Sequence, residues 1–372
     1  MPNENNKKIF MYIYSLHIGG GAENVMFKVA SYLHTKGFEI VVCGMCDEQP
    51  SFEERYRAQH IKVINLKANP NNIFDMITKL IPVLKVERPD CVLNWLYPCI
   101  ISGGIAAKLT GVKHIVSNLR GPDLKKKKIK VLVDRLVSKL YTGHIAVCAS
   151  VAAVFQERER YDRKKMTVIP NGIDPQELQK QKLRSVDEVR KELGITEKHW
   201  VVGSVGRLYS EKNQELQIRA WPGVVRVVSN ARLVLIGDGP ARQSLEQLAH
   251  SLGVRDLVVF AGWQRNVYEY LQACNVYVLS SKYEGHPGSI LQAWLMKLPV
   301  VATKVSGTKD VVIDGKNGLL FSKNNPEELT KILINLHQFP EESETYAASG
   351  YADVLNKHTE EKMLKAYENY LG

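Results

Sequence analysis

Apolar residues along this chain gather in short runs, and the runs alternate with longer stretches where apolar positions recur every three or four residues. "KIFMYIYSL" predicts a strand, "GAENVMFKVASYLHTKG" a helix closed by Gly37, and "EIVVCGMC" the next strand. "DCVLNWL", "HIVSNL" and "HIAVCAS" continue the series, with helical stretches between them. After "MTVIPNGIDP" the alternation begins again: strand "WVVGSVG", a helix from Asn213, strand "ARLVLIGDG", a helix around "ARQSLEQLAHSLG", then "LVVFAG", "VYVLSS", "PVVATKV" and "GLLF". Two successive β/α series predict two doubly wound parallel sheets. The joining "IPNGIDP", rich in Pro, Gly and Asn, reads as a hinge. The expected boundaries are residues 1–172 and 173–354, followed by a tail, 355–372, whose "EKMLKAYENYLG" predicts a helix packing back toward the first domain.

Length agrees with that division, since 372 residues exceed one ordinary core. No apolar run approaches the roughly 18 residues that span a bilayer. The N-terminal apolar stretch leads into glycines and not into a cleavage site, so a cytoplasmic protein is expected. The six cysteines lie mostly in apolar runs, and the one C-x-x-C, "VVCGMC", has no second Cys or His pair beside it. Reduced core thiols fit better than a zinc site.

Charge changes the picture more than composition does. Residues 1–170 hold 26 Lys and Arg against 15 Asp and Glu, which accounts for the whole net charge of +11. The excess peaks in "DLKKKKIKVLVDRLVSKL", where Ile129, Leu132, Val133, Leu136 and Leu140 recur at helical spacing. Lys125, Lys126, Lys127 and Lys128 crowd the start of that helix, against its macrodipole, which favours an anionic counterpart. An anionic membrane surface or a lipid diphosphate would serve, and a solvated basic face is the alternative. A nucleic acid is not expected, because no aromatic residue interleaves with these lysines.

Three glycine-rich turns follow strand ends, where such sheets bind ligands. In "HIGGGAEN" the spacing departs from the dinucleotide G-x-G-x-x-G, yet Gly19, Gly20 and Gly21 lead into a helix that can receive an anion or simply form a turn. In "GSVGRLYSEKNQ", Gly203 and Gly206 precede Arg207 and Lys212, a guanidinium fork and an ammonium of the kind a diphosphate needs. In "SSKYEGHPGSILQAW", Glu284 stands before Gly285, His286, Pro287, Gly288 and Ser289, where a helix reopens and its first N–H groups suit phosphate.

In this order the stretches "GGGAE", "VIPNGID", "VGRLYSEKN", "LIGDGPARQSLEQLAHSLG", "VVFAGW", "EGHPGSILQAW" and "LPVVATKVSGTKDVVIDGKNGLLF" resemble the family-4 retaining glycosyltransferases. The resemblance implies the GT-B fold, two Rossmann-like domains facing a central cleft, with acceptor and membrane on the first and nucleotide sugar on the second. It implies that Arg207 and Lys212 bind the nucleotide diphosphate and that Glu284 touches the donor sugar. Around the donor would lie Gly20, Gly21, Gly206, His286, Gly288, Ser289, Ile290 and Leu291, with Gly262, Trp263 and Val267 near the base.

Two positions depart from the family pattern. Gln292 stands where a second glutamate would hold the ribose hydroxyls, and "SNLRGPD" offers Arg120 where many members have a histidine. Arg120 could stabilise negative charge near the reacting centre. No Asp-x-Asp is present, so no metal or other cofactor is expected, the cationic side chains doing that work. Among relatives, the short "GGGAE"-type chains suggest transfer of N-acetylgalactosamine or a related hexose from a UDP-sugar to a polyprenyl-diphosphate-linked sugar, in bacterial surface-polysaccharide (O-antigen or lipopolysaccharide) assembly at the inner membrane face. A non-hydrolysing sugar-nucleotide epimerase or a phosphorylase would share the fold and the phosphate contacts.

Overall fold

The computed structural model describes residues 7–18, 20–46, 51–121 and 126–372. They form two compact units: the chain up to Asn171 together with Glu361–Gly372, and Gly172–Glu360.

The sheet of the first unit contains β1 (Lys8–Ser15), β2 (Glu39–Cys46), β3 (Lys62–Asn65), β4 (Cys91–Trp95), β5 (His114–Leu119), β6 (Gly143–Ala146) and β7 (Met166–Val168). Their order is β3-β2-β1-β4-β5-β6-β7, and every pairing is parallel. Because helices cover both faces of such a sheet, its central strands read as continuous apolar runs instead of alternating ones. Alternate residues of β1 show why: Phe10 and Tyr12 enter one buried layer, while Ile9, Met11 and Ile13 enter the other. The C-terminal helix Glu360–Leu371 closes that second layer with Met363, Leu364, Tyr367 and Leu371, spaced to fall on one face. Two strands, β3 and β7, went unforeseen. They are the two edges of the sheet, only four and three residues long and half exposed, so they carry little apolar pattern.

The second unit repeats the design with β8 (Trp200–Val205), β9 (Ala231–Ile236), β10 (Val258–Gly262), β11 (Val276–Leu279), β12 (Val300–Thr303) and β13 (Leu319–Phe321). The order is β10-β9-β8-β11-β12-β13, again wholly parallel. Ile173 exchanges backbone hydrogen bonds with His358 and Glu360, so the two ends of this unit run side by side. Among the described residues no helix is long and apolar enough to cross a membrane.

Tyr367 is the anchor of the C-terminal helix. Its ring stacks on Trp95 with centroids 6.2 Å apart, and Asn118 Nδ2 donates to its hydroxyl at 2.7 Å. Truncating a fully buried aromatic costs about 3–5 kcal/mol, whereas losing one hydrogen bond costs about 1 kcal/mol. Tyr367→Ala is therefore expected to lower the denaturant midpoint of the first unit far more than Tyr367→Phe, and equal effects would show that the hydroxyl alone matters.

Candidate functional site

In the second unit the strand order reverses between β8 and β11, the point at which a doubly wound sheet opens a crevice at its carboxyl edge. The turns that follow these two strands carry Arg207 and Lys212 on one side and Glu284 on the other. They meet directly. Lys212 Nζ lies 2.6 Å from Glu284 Oε1, and Ser281 Oγ donates to the same oxygen at 2.6 Å. Glu284 is only 9% exposed, so its carboxylate is held by these donors in a largely dry setting.

A buried polar cluster holds the two turns in register. Gln217 Nε2 donates to Ser204 Oγ at 3.0 Å and to Ser280 Oγ at 2.8 Å. Ser280 Oγ in turn is within 3.0 Å of the Lys212 carbonyl and 2.9 Å of the Asn213 carbonyl, tying the end of β11 to the loop after β8. Thr303 Oγ1 donates to the Ser281 carbonyl at 2.6 Å from the next strand. Two glycines permit the close packing of these loops. A Cβ on Gly237, at φ +144°, would come within 2.0 Å of the Gly206 carbonyl oxygen. One on Gly307, at φ +81°, would come within 2.5 Å of the Glu284 carbonyl and 2.3 Å of the Gly285 carbonyl. Sequence reasoning missed Gln217, Ser280, Gly237 and Gly307 as supports. Only the small residues at strand ends hinted at them, because their partners are distant in the chain.

The helix Gly288–Leu295 starts beside Glu284. Gly288 is exposed, and a Cβ there would meet nothing within 4 Å, so the helix start is open. At Ile290, one of the residues expected around the donor, the N–H already donates to the Pro287 carbonyl at 3.1 Å and is not offered to a phosphate. Helix geometry leaves the amides of Gly288 and Ser289 for a ligand. The side chains of Ile290 and Leu291 belong to the apolar core, and His286 is buried with its ring 5.3 Å from that of His358. Ser289 lies beside the hydroxyl of Tyr277, and Gln292 beside that of Tyr268; burial raises the pKa of both tyrosines, which keeps them protonated.

Arg207 is largely exposed, its guanidinium 4.9 Å from the Tyr209 ring centroid and 3.9 Å from Glu211. Gly262 ends β10 at φ +71°, and its carbonyl accepts from Gly237 N at 2.8 Å. Trp263, next along, is 58% exposed, and Val267 opens the short helix Val267–Leu271. All these residues lie along the carboxyl edge of one sheet.

The remaining candidates lie in the first unit. Gly20 caps the helix Gly21–Thr35, and its carbonyl accepts from Asn24 N at 3.1 Å and from Asn24 Nδ2 at 2.9 Å. Gly19 and Lys125 fall outside the described residues. Arg120 follows β5 with its guanidinium 5.6 Å from the Trp95 ring centroid and hydrogen-bonded to Asn171. Burial lowers its pKa, and the Tyr367 hydroxyl opposes that shift. Lys126 requires a correction. Its side chain is 4% exposed and paired inside the unit with Asp134, with Glu159 3.6 Å away, so it does not face a membrane. Lys127 and Lys128 are exposed.

The family models match both halves of the chain: "Glycosyltransferase Family 4" over residues 19–177 and "Glycosyl transferases group 1" over 185–353. An Escherichia coli enzyme, UDP-Gal:alpha-D-GlcNAc-diphosphoundecaprenol alpha-1,3-galactosyltransferase, is 24% identical over 90% of this chain and 89% of its own. A lipopolysaccharide core biosynthesis glycosyltransferase of Rhizobium meliloti, LpsD, is 32% identical over 45% of this chain and 48% of its own. Anabaena HepE, solved in complex with UDP-glucose, superposes with a TM-score of 0.84 at 22% identity, covering 98% of this chain and 99% of that one. With two wholly parallel α/β sheets and both family domains in order, the chain belongs to the glycosyltransferases of the family-4 and group 1 type, with the GT-B fold.

Proposed function

We propose that this glycosyltransferase moves a hexosyl unit, N-acetylgalactosamine or a related hexose, from a UDP-sugar to a polyprenyl-diphosphate-linked sugar in bacterial surface-polysaccharide assembly, with retention of configuration. The observation that carries the donor half is the meeting of Lys212 and Glu284 beside the open helix start at Gly288. Departure of a nucleoside diphosphate builds negative charge on its β-phosphate while the sugar becomes oxocarbenium-like. Arg207, Lys212 and the amides of Gly288 and Ser289 answer the first charge, and the Glu284 carboxylate orients hydroxyls of the sugar. Lys212 sits ready on Glu284, and a phosphate arriving at the helix start can draw the ammonium across without leaving the carboxylate bare, because Ser281 still donates to it.

Trp263 supplies an exposed ring against which a base can lie, flanked by Gly262 and Val267, and Gln292 can reach the ribose from its place beside Tyr268. Gly206 lets the diphosphate approach the backbone, and His286 shapes the turn from within. In the first unit, Gly20 and Gly21 open a helix start, and Arg120 is read as a cation that answers negative charge. The lipid-linked acceptor, and with it a place at the inner membrane face, is supported by the similarity to the E. coli enzyme and by the basic first unit.

The direct test incubates a panel of UDP- and GDP-sugars with and without membrane extract and scores nucleoside diphosphate release and product stereochemistry. Release that requires extract and one UDP-hexose supports the reading; turnover of sugar nucleotide without acceptor points to an epimerase. Arg207→Ala and Lys212→Ala should each lower transfer by about 100-fold or more, the scale for losing one preorganised donor to developing charge. Full activity in either variant would sink the diphosphate assignment. Gln292→Glu should hold or tighten UDP binding, up to about fivefold, since a hydrogen bond to a charged acceptor is stronger by about 1 kcal/mol. A large loss by calorimetry would mean that this side chain serves Tyr268 and not the ribose.

A further inference from the structure

The helix Lys128–Ser138 is built inside out. Ile129, Leu132, Val133 and Leu136, at i, i+3, i+4 and i+7, form one stripe, and the stripe faces solvent, with Ile129 64% and Leu136 56% exposed. The inward face instead carries Asp134, Val137 and Ser138, with Asp134 neutralised by Lys126. Tyr97 continues the apolar strip beside the helix start, its ring 5.8 Å from Lys130 Nζ and 43% exposed. The charges around the stripe are of one sign. Lys127, Lys128, Lys130 and Lys139 are exposed, and the helix's one acid, Asp134, is buried.

Beside the stripe lies a pocket of about 360 Å³ lined by Lys126, Lys128, Val131, Leu132, Arg135 and Arg158. Lys126 and Arg158 are spent on Asp134 and Glu159. Arg135 donates to the Arg158 carbonyl at 3.3 Å, but its buried Nε has no hydrogen-bond partner among the described residues. Four cations against two carboxylates leave the pocket positive, with Lys128 and Arg135 holding unused donors.

We propose that this helix lies in the plane of an anionic bilayer, its stripe among the acyl chains, with the pocket taking the phosphate of an anionic phospholipid on Lys128 and Arg135. The inference rests on the reading that the acceptor is membrane-bound and changes its agent: apolar insertion, and not a lysine cluster, supplies most of the hold. A second copy of this face is a poor occupant, because it would set like charges together. Apolar side chains exposed in water and ringed by lysines match the acyl and phosphate layers of a membrane at successive depths.

The test measures partition of the full chain onto vesicles of phosphatidylcholine alone and of phosphatidylcholine with phosphatidylglycerol in equal parts. The wild-type chain should bind the anionic vesicles and keep much of that binding at high salt, where surface charge is screened. Ile129→Gln/Leu132→Gln/Leu136→Gln alters only exposed positions, so the fold should persist, checked by circular dichroism. Each side chain is worth about tenfold when buried in hydrocarbon, so the triple variant should lose about 1,000-fold in partition. Lys128→Gln/Arg135→Gln should remove the preference for phosphatidylglycerol while leaving salt-resistant binding.

Transfer to a short water-soluble acceptor should be unchanged in the apolar triple variant. The proposal is overturned if that variant binds vesicles like wild type, if salt alone abolishes binding, if free inorganic diphosphate competes for the pocket as well as vesicles do, or if the apolar face proves by sedimentation to hold two copies together. The functional reading fails separately, by a wild-type chain that binds vesicles yet transfers nothing to any lipid-linked acceptor.

Discussion

A parallel strand can be followed by another parallel strand only after the chain has crossed back along the sheet, so every strand of such a sheet ends on the same edge. In the second unit this constraint brings the loops after β8 and β11, which are 72 residues apart at Lys212 and Glu284, to a contact of 2.6 Å. The site follows from the connectivity. It needs only that the two turns carry groups of complementary charge and that the strand order reverses between them. The hydrogen bonds of Gln217 and Ser280 and the missing side chain of Gly307 then remove the remaining slack, so that the charged groups of the two turns are held in fixed positions.

The first unit uses the same scaffold to different ends. Its C-terminal helix, added from the far end of the chain, seals one face of the sheet through Tyr367 and Trp95, and Arg120 is drawn into that packing. A cation placed over an aromatic ring and beside Asn171 has lost much of its freedom. On the opposite argument, Lys126 shows how a charged side chain that looks like surface in a run of lysines can be claimed by the interior: the Asp134 carboxylate lies below it and would otherwise be buried without a counter-charge, while Glu159, 3.6 Å from the same ammonium, is also paired with Arg158.

That inward lysine explains the outward apolar stripe. With Asp134 and Ser138 pointing into the unit, the rotation of the helix about its axis is set by a polar contact, and Ile129, Leu132 and Leu136 are carried to the surface. An ordinary surface helix has the reverse arrangement.

Much of this protein was legible in its residues. The alternation of apolar runs and helical periodicity specifies two doubly wound sheets because buried parallel strands leave an uninterrupted hydrophobic signature, and the glycine-rich turns mark strand ends because only a chain reversal requires them there. Arg207, Lys212 and Glu284 could be named because charged groups beside such turns stand out in a local window. The edge strands β3 and β7 escaped notice because short, half-exposed strands lack that signature. Tertiary structure alone decided that Lys212 pairs with Glu284, that Ile290 spends its amide on Pro287, that Gln217 and Ser280 bind the two turns together, and which way the basic helix faces. Each of these depends on a partner fixed by packing, either across the chain or by the rotation of a helix, and periodicity reports that a helix has two faces without saying which of them the rest of the molecule will claim.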